Sequence, residues 1–103
     1  MILHIDVKNK VATYQTRDGC IVCGNSGYQI EFNFDDEWAN VTDKKAVIIS
    51  PNGTEKVSIN ASGVCNLPII RNASKITVGV HSESVGMTTT GTEIPCKKSI
   101  LCQ

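Results

Sequence analysis

The sequence predicts an all-β fold: a single antiparallel β-sandwich, immunoglobulin-like or jelly-roll-like, of about seven to nine short strands with almost no helix. Three observations lead there. Apolar and polar residues alternate at period two in several stretches, turn residues recur roughly every eight to twelve positions, and no window of about 11 residues places its apolar side chains at helical spacing. Residues 1–103 form one domain, because 103 residues suffice for one core and leave no room for a second. A small barrel is the other all-β solution, but nothing in the sequence fixes its closure, and the two-sheet form is the commoner one.

Taken in order, Leu3, Ile5 and Val7 alternate with His4 and Asp6 as a first strand. Lys8, Asn9 and Lys10 turn the chain into Val11, Ala12, Thr13 and Tyr14, giving a hairpin. Arg17, Asp18 and Gly19 form the next turn. A short strand over Cys20 to Cys23 then runs into the turn Gly24 to Gly27.

Tyr28, Ile30, Phe32 and Phe34 alternate without a miss against Gln29, Glu31, Asn33 and Asp35, the pattern of a strand with one buried and one wet face. This is the best-defined strand of the chain. Both phenylalanines, one of the two tyrosines and the only tryptophan, Trp38, fall in this stretch, which concentrates the aromatic area available for a core. Trp38, just past the strand end, is expected to plug the open end of the sandwich with its indole nitrogen bonded to a loop carbonyl. Asp35, Asp36 and Glu37 read as a solvated turn, since they lack both the alternating ligands and the glycine of a calcium loop.

Ala46, Val47, Ile48 and Ile49 form a continuous apolar block, which suits a strand covered on both faces or near a sheet centre. Pro51, Asn52 and Gly53 mark a hairpin turn, with Asn-Gly supplying the positive torsions. Val57 and Ile59 resume the alternation, and Val64 to Leu67 form a strand closed by Pro68. Ile76, Val78 and Val80 alternate with Thr77, Gly79 and His81 as a second strong strand, with something bulky opposed to Gly79. Ser82 to Gly86 is a polar turn, Met87 to Thr90 a strand, and Ser99 to Cys102 a short apolar end. The expected core draws on Tyr28, Ile30, Phe32, Phe34, Trp38, Val47, Ile76, Val78 and Val80.

Composition restricts function. The chain is 41% apolar and 19% charged, ordinary for a globular domain. Ten basic and ten acidic residues cancel, and no basic run exceeds a pair, which argues against nucleic acid as a partner. The amino-terminal stretch MILHIDVKNK has no apolar segment long enough for a signal or a membrane span, so the expected place of synthesis is the cytoplasm, with no membrane partner.

The five cysteines, at 20, 23, 65, 96 and 102, form an odd set expected to remain as thiols. Cys20 and Cys23 make a lone C-x-x-C, the metal candidates of the chain, half of the ligand set a zinc site needs. Zinc wants four ligands, and the others, Cys65, Cys96, Cys102, His4 and His81, are scattered singly. Redox use needs a helix amino terminus to lower the thiol pKa, and here the pair flanks a strand. Small buried residues at strand ends describe them best, with no metal and no cofactor expected. His4 and His81 have no nucleophile at a telling spacing, and the sequons at Asn40, Asn52, Asn60 and Asn72 read as surface turns. No catalytic residue emerges.

The order of motifs HIDVKNKVAT, CGNSGYQIEFNFDDEW, TDKKAVIISPNGT, VCNLPII, KITVGVHS and TTTGTEIPCKKSIL resembles the amino-terminal β-sandwich domain of tail, baseplate or fibre proteins encoded by phages and prophages of Gram-positive, clostridia-like bacteria. It is distantly similar to the amino-terminal domain of the lactococcal phage upper baseplate protein. The likeness spans almost the whole chain. Its most specific parts are the aromatic strand ending in acid and Trp38, the strand Val78 to Val80, and the stretch Cys96 to Cys102. The resemblance implies a virion structural part without catalytic residues, made in the host cytoplasm, self-associating and docking to other virion proteins. Relatives of this kind continue into helical or receptor-binding segments, so the expectation is an adaptor, a decoration protein or the attachment module of something longer. The alternative expectation, a carbohydrate-binding sandwich for host-surface glycans, requires at least two exposed aromatics on one face, drawn from Tyr14, Tyr28 and Trp38.

Overall fold

The computed structural model describes residues 1–16 and 19–100. It is nearly all β, with two sheets packed face to face. The strands are β1 (Ile2–Lys8), β2 (Val11–Tyr14), β3 (Ile21–Val22), β4 (Gln29–Phe34), β5 (Lys45–Ser50), β6 (Gly53–Ser58), β7 (Val64–Asn66), β8 (Lys75–Ser82), β9 (Met87–Thr88) and β10 (Thr92–Lys97). A single 3₁₀ turn, Asp36–Trp38, is the only helical piece among the described residues. The smaller sheet runs β2-β1-β4-β7 and the larger β3-β10-β8-β5-β6, with β9 beside β8. The expected Arg17–Asp18 part of one turn and the end at Leu101 and Cys102 lie outside the described residues.

The sandwich is mixed where a purely antiparallel one was expected. β1 pairs β4 in parallel from Ile2 with Gln29 to Val7 with Phe34, and β10 pairs β3 in parallel at Cys96 with Ile21. Parallel neighbours need a crossover. The chain between β1 and β4 supplies it by leaving the small sheet after β2 and lending β3 to the large one. β10 was also missing from the expected strands. Pro95 lies within it, yet Ile94 and Cys96 face inward while Glu93, Pro95 and Lys97 face out. Cys96 N, the next backbone donor, still bonds Ser74 O at the β8 side, so the proline nitrogen faces the opposite edge just ahead of the first pair with β3, and its absent N–H removes no ladder bond.

Leu3, Ile5, Val7, Ile30 and Phe32 from the small sheet pack on Ala46, Ile48, Ile76, Val78, Val80 and Ile94 from the large one, all buried. Tyr28 and Phe34 join them half-buried. Val47 does not belong to this core. Within the apolar block only Ala46 and Ile48 turn inward; Val47 is half-buried on the outer face and Ile49 is 48% exposed there. The block therefore marks a strand with apolar residues on both faces but only one face covered.

Trp38 is fully buried over the end of the core, its ring 5.6 Å from that of Phe34. Its Nε1 has no hydrogen-bond partner among the described residues, where a loop carbonyl was expected. Within the turn, Asp35 O accepts from Trp38 N, Asp36 O from Ala39 N, and Trp38 O from Val41 N.

The tip of the β1–β2 hairpin is a two-residue turn with both residues at positive φ, Asn9 at 52° and Lys10 at 63°. The acidic turn is not simply solvated, because it grips this tip: Asn9 N donates to Asp35 Oδ2 at 2.8 Å, and the Lys10 ammonium pairs with Glu37. In the β5–β6 hairpin Pro51 and Asn52 are the loop residues, and only Gly53, at φ 127°, takes a positive torsion.

Candidate functional site

The two outer faces differ in chemistry. On the small sheet Ile2 and Val11 are outward and exposed at the strand ends, and the outward residues between them are mostly polar: His4 lies 3.4 Å from Glu31, Gln29 Nε2 donates to Asn66 Oδ1 at 3.0 Å, and Asp6 stands beside Asn33 and Thr13. On the large sheet the same alternation sends Val47 and Ile49 outward. Register places Ile49 between Thr54 and Thr77, and Val47 between Lys56 and Gly79.

An apolar groove of about 150 Å³ results, lined by Val47, Ile49, Thr77, Gly79, Thr89 and Gly91. Its shape depends on two glycines. A Cβ on Gly79 would stand 3.1 Å from Thr89 Oγ1 and from the Thr90 carbonyl, so the missing side chain lets the 89–91 segment cross close over β8 and form a wall. A Cβ on Gly91 would stand 2.5 Å from Thr77 Cγ2. The bulk expected opposite Gly79 is thus backbone and threonine. Lys45 and Lys56, both exposed, stand on the same face, and neither is in any salt bridge among the described residues. An apolar floor with a cationic rim suits a partner surface that presents an aliphatic side chain beside a carboxylate.

The sheet edges are treated unequally. Along β2 the N–H groups of Ala12 and Tyr14 donate to Thr90 Oγ1 at 3.2 Å and Thr92 Oγ1 at 3.0 Å, which sews the small sheet to the large. Across the large sheet, β6 pairs only with β5 among the described residues and keeps its outer edge open.

A second cluster joins Asp43 to the β8–β9 turn. The Asp43 carboxylate accepts from the Ser82 hydroxyl at 2.5 Å, the Ser84 hydroxyl at 2.7 Å and the Ser84 N–H at 3.0 Å. These bonds hold its carboxyl far below the usual carboxylate range. A carboxylate so stabilised is a poor base. His81, the neighbouring imidazole, turns away to Thr88 Oγ1 at 2.7 Å, so the hydroxyls here are structural donors.

The cysteines are disposed as small apolar residues. Cys23, Cys65 and Cys96 are buried, and the Cys23 thiol donates to the Ala73 carbonyl at 3.3 Å. Burial pushes the Cys65 thiol up to about 11; Cys96 also rises to about 11 from burial and from nearby Cys23 and Cys20. Among the described residues no three His, Cys, Asp or Glu side chains converge as metal ligands. Cys102 lies outside those residues.

The aromatic candidates of the glycan reading are turned inward. Trp38 is fully buried, Tyr14 OH donates to Gly19 O at 2.7 Å, and Tyr28 OH accepts from Val22 N at 3.0 Å. Neither the groove nor the Asp43 cluster was identified in the sequence. The signal for the groove was present in Val47 and Ile49, whereas Asp43, Ser82 and Ser84 meet only through the fold. No family model, curated protein or solved structure matches the chain.

Proposed function

We propose that this protein is a phage or prophage virion structural module, of a tail, baseplate or fibre assembly, working by self-association and by docking to other virion proteins. The observation that supports this most is the uncovered apolar groove on the large sheet, where Val47 and Ile49 stand together on one face and Ile49 is 48% exposed. Next to it the β6 edge stands open to a neighbour's backbone. The rest of the surface is built for rigidity, since the hairpin tip, the β2 edge and the β8–β9 turn are each fastened by named hydrogen bonds. A building block needs such stiffness; its role assigns no catalytic step to any residue.

The test is mass spectrometry of particles purified from an induced culture of the source bacterium, together with sedimentation of the isolated chain. Recovery of the chain in fixed proportion to other particle proteins supports the role. Its absence from the particles, with turnover of a small molecule by the purified chain, would refute it.

A further inference from the structure

Resting on the reading that copies of this chain pack together, we infer that the groove over β5 and β8 receives the β8–β9 turn of a second copy, with Val85 seated on Val47 and Ile49 and Glu83 against Lys45 and Lys56. The groove asks for an exposed aliphatic side chain with an acid beside it and no cation nearby. Among the exposed large apolar side chains of the described residues, Met1, Ile2, Val11, Ile49, Ile69, Val85 and Ile100, the choice narrows quickly. Ile49 is the groove itself, and Val11 pairs in register with the cation Lys8. Met1 and Ile2 lie next to the amino-terminal ammonium, and Ile69 and Ile100 have no acid within two residues on the same stretch. Val85 is 53% exposed, and Glu83, two residues before it, is exposed and enters no salt bridge among the described residues.

The turn is also held ready. Asp43 binds Ser82 and Ser84 on either side of Glu83, Gly86 N donates to Ser82 O at 3.0 Å, and Val85 N donates to Ser82 Oγ at 3.4 Å. A knob fixed in this way loses little freedom when it docks, which favours a contact of small area. Knob and groove are unlike surfaces of one chain, so each copy offers one of each. A single contact of this size is weak, and an array in which each copy makes two is much stronger. The zero net charge of the chain leaves no overall repulsion to oppose it.

The experiment is sedimentation equilibrium of the whole chain up to about 1 mM, on the wild type, Val85→Asp, Ile49→Asp and Glu83→Lys, with circular dichroism to confirm folding. Both apolar positions are exposed, so the variants keep the fold. Association of the wild type, weakened by about tenfold or more in each variant, is the expected result. An equimolar mixture of Val85→Asp and Ile49→Asp should regain part of it, because the intact turn of one fits the intact groove of the other. Wild-type association that all three variants retain would overturn the inference and leave self-association standing by another surface. A wild type that stays monomeric throughout would overturn both.

Discussion

The backbone N–H of Tyr14 on β2 donates to the hydroxyl of Thr92 on β10 at 3.0 Å, joining the edge of one sheet to a side chain of the other. Ala12 N and Thr90 Oγ1 repeat the arrangement at 3.2 Å, two residues earlier on β2 and in the segment that leads into β10. An edge that would otherwise show free donors is closed without an added strand.

Replacing both hydroxyls by methyls, as Thr90→Val with Thr92→Val, keeps the shape and strands two N–H groups. Each stranded group costs about 1–3 kcal/mol, so the double variant should unfold at clearly lower urea. Faster hydrogen exchange at Ala12 and Tyr14 should accompany it. An unchanged midpoint would show that the stitches add nothing.

Neighbouring isoleucines should behave oppositely. Ile48 is 2% exposed in the core and Ile49 48% exposed outside it. Ile48→Ala is expected to cost about 2–5 kcal/mol, and Ile49→Ala no more than about 1 kcal/mol, measured by urea denaturation of the monomeric chain.

Asp43 should dominate part of the acid limb of stability. Its carboxyl is held below the ordinary value of 3.8, chiefly by the Ser82 hydroxyl and then by Ser84. A depressed folded-state value means that the contribution is complete above the unfolded-state value and is lost as pH falls below it toward the folded-state value. Denaturation midpoints of the wild type should therefore decline below about pH 4, and Asp43→Asn should show a shallower decline from a lower plateau. Equal slopes would remove Asp43 from the account.

Trp38 gives an optical check. An indole with no exposed surface should emit at short wavelength and resist acrylamide quenching in the folded chain. Trp38→Ala should cost about 3–5 kcal/mol. A red-shifted, readily quenched native emission would contradict its placement.

Much of the fold was legible because period-two patterning reports which face of a strand is covered. β1, β4 and β8 emerge from it directly, and turn residues mark the first hairpin at Lys8 to Lys10, of which Lys8 belongs to β1 and Asn9 and Lys10 form the turn. Patterning does not report which strand lies alongside, and so the parallel pairing of β1 with β4 was out of reach. Pro95 hid β10 because a proline ordinarily argues against a strand, and only its place on the side of β10 away from β8, ahead of the first pair with β3, makes it harmless. Val47 was misassigned because four consecutive apolar residues were credited to burial on both sides. The groove is the result of that same excess, and its walls came from Gly79 and Gly91, whose meaning depends on what crosses them. The indole N–H of Trp38, without a partner among the described residues, was equally invisible, since its partners depend on what the fold brings over the ring.

The open side of β6 carries Glu55 and Lys56 at its middle. When two identical strands extend a sheet antiparallel about a two-fold axis, each residue meets one of the same parity, so the registers that overlap this strand most fully are centred on Glu55 or on Lys56. One sets carboxylate against carboxylate, the other ammonium against ammonium, and like charges directly opposed repel. The margin thus disfavours a closed pair with its own twin while remaining free to zip with a foreign strand of different spelling, which keeps this edge available in a crowd of copies.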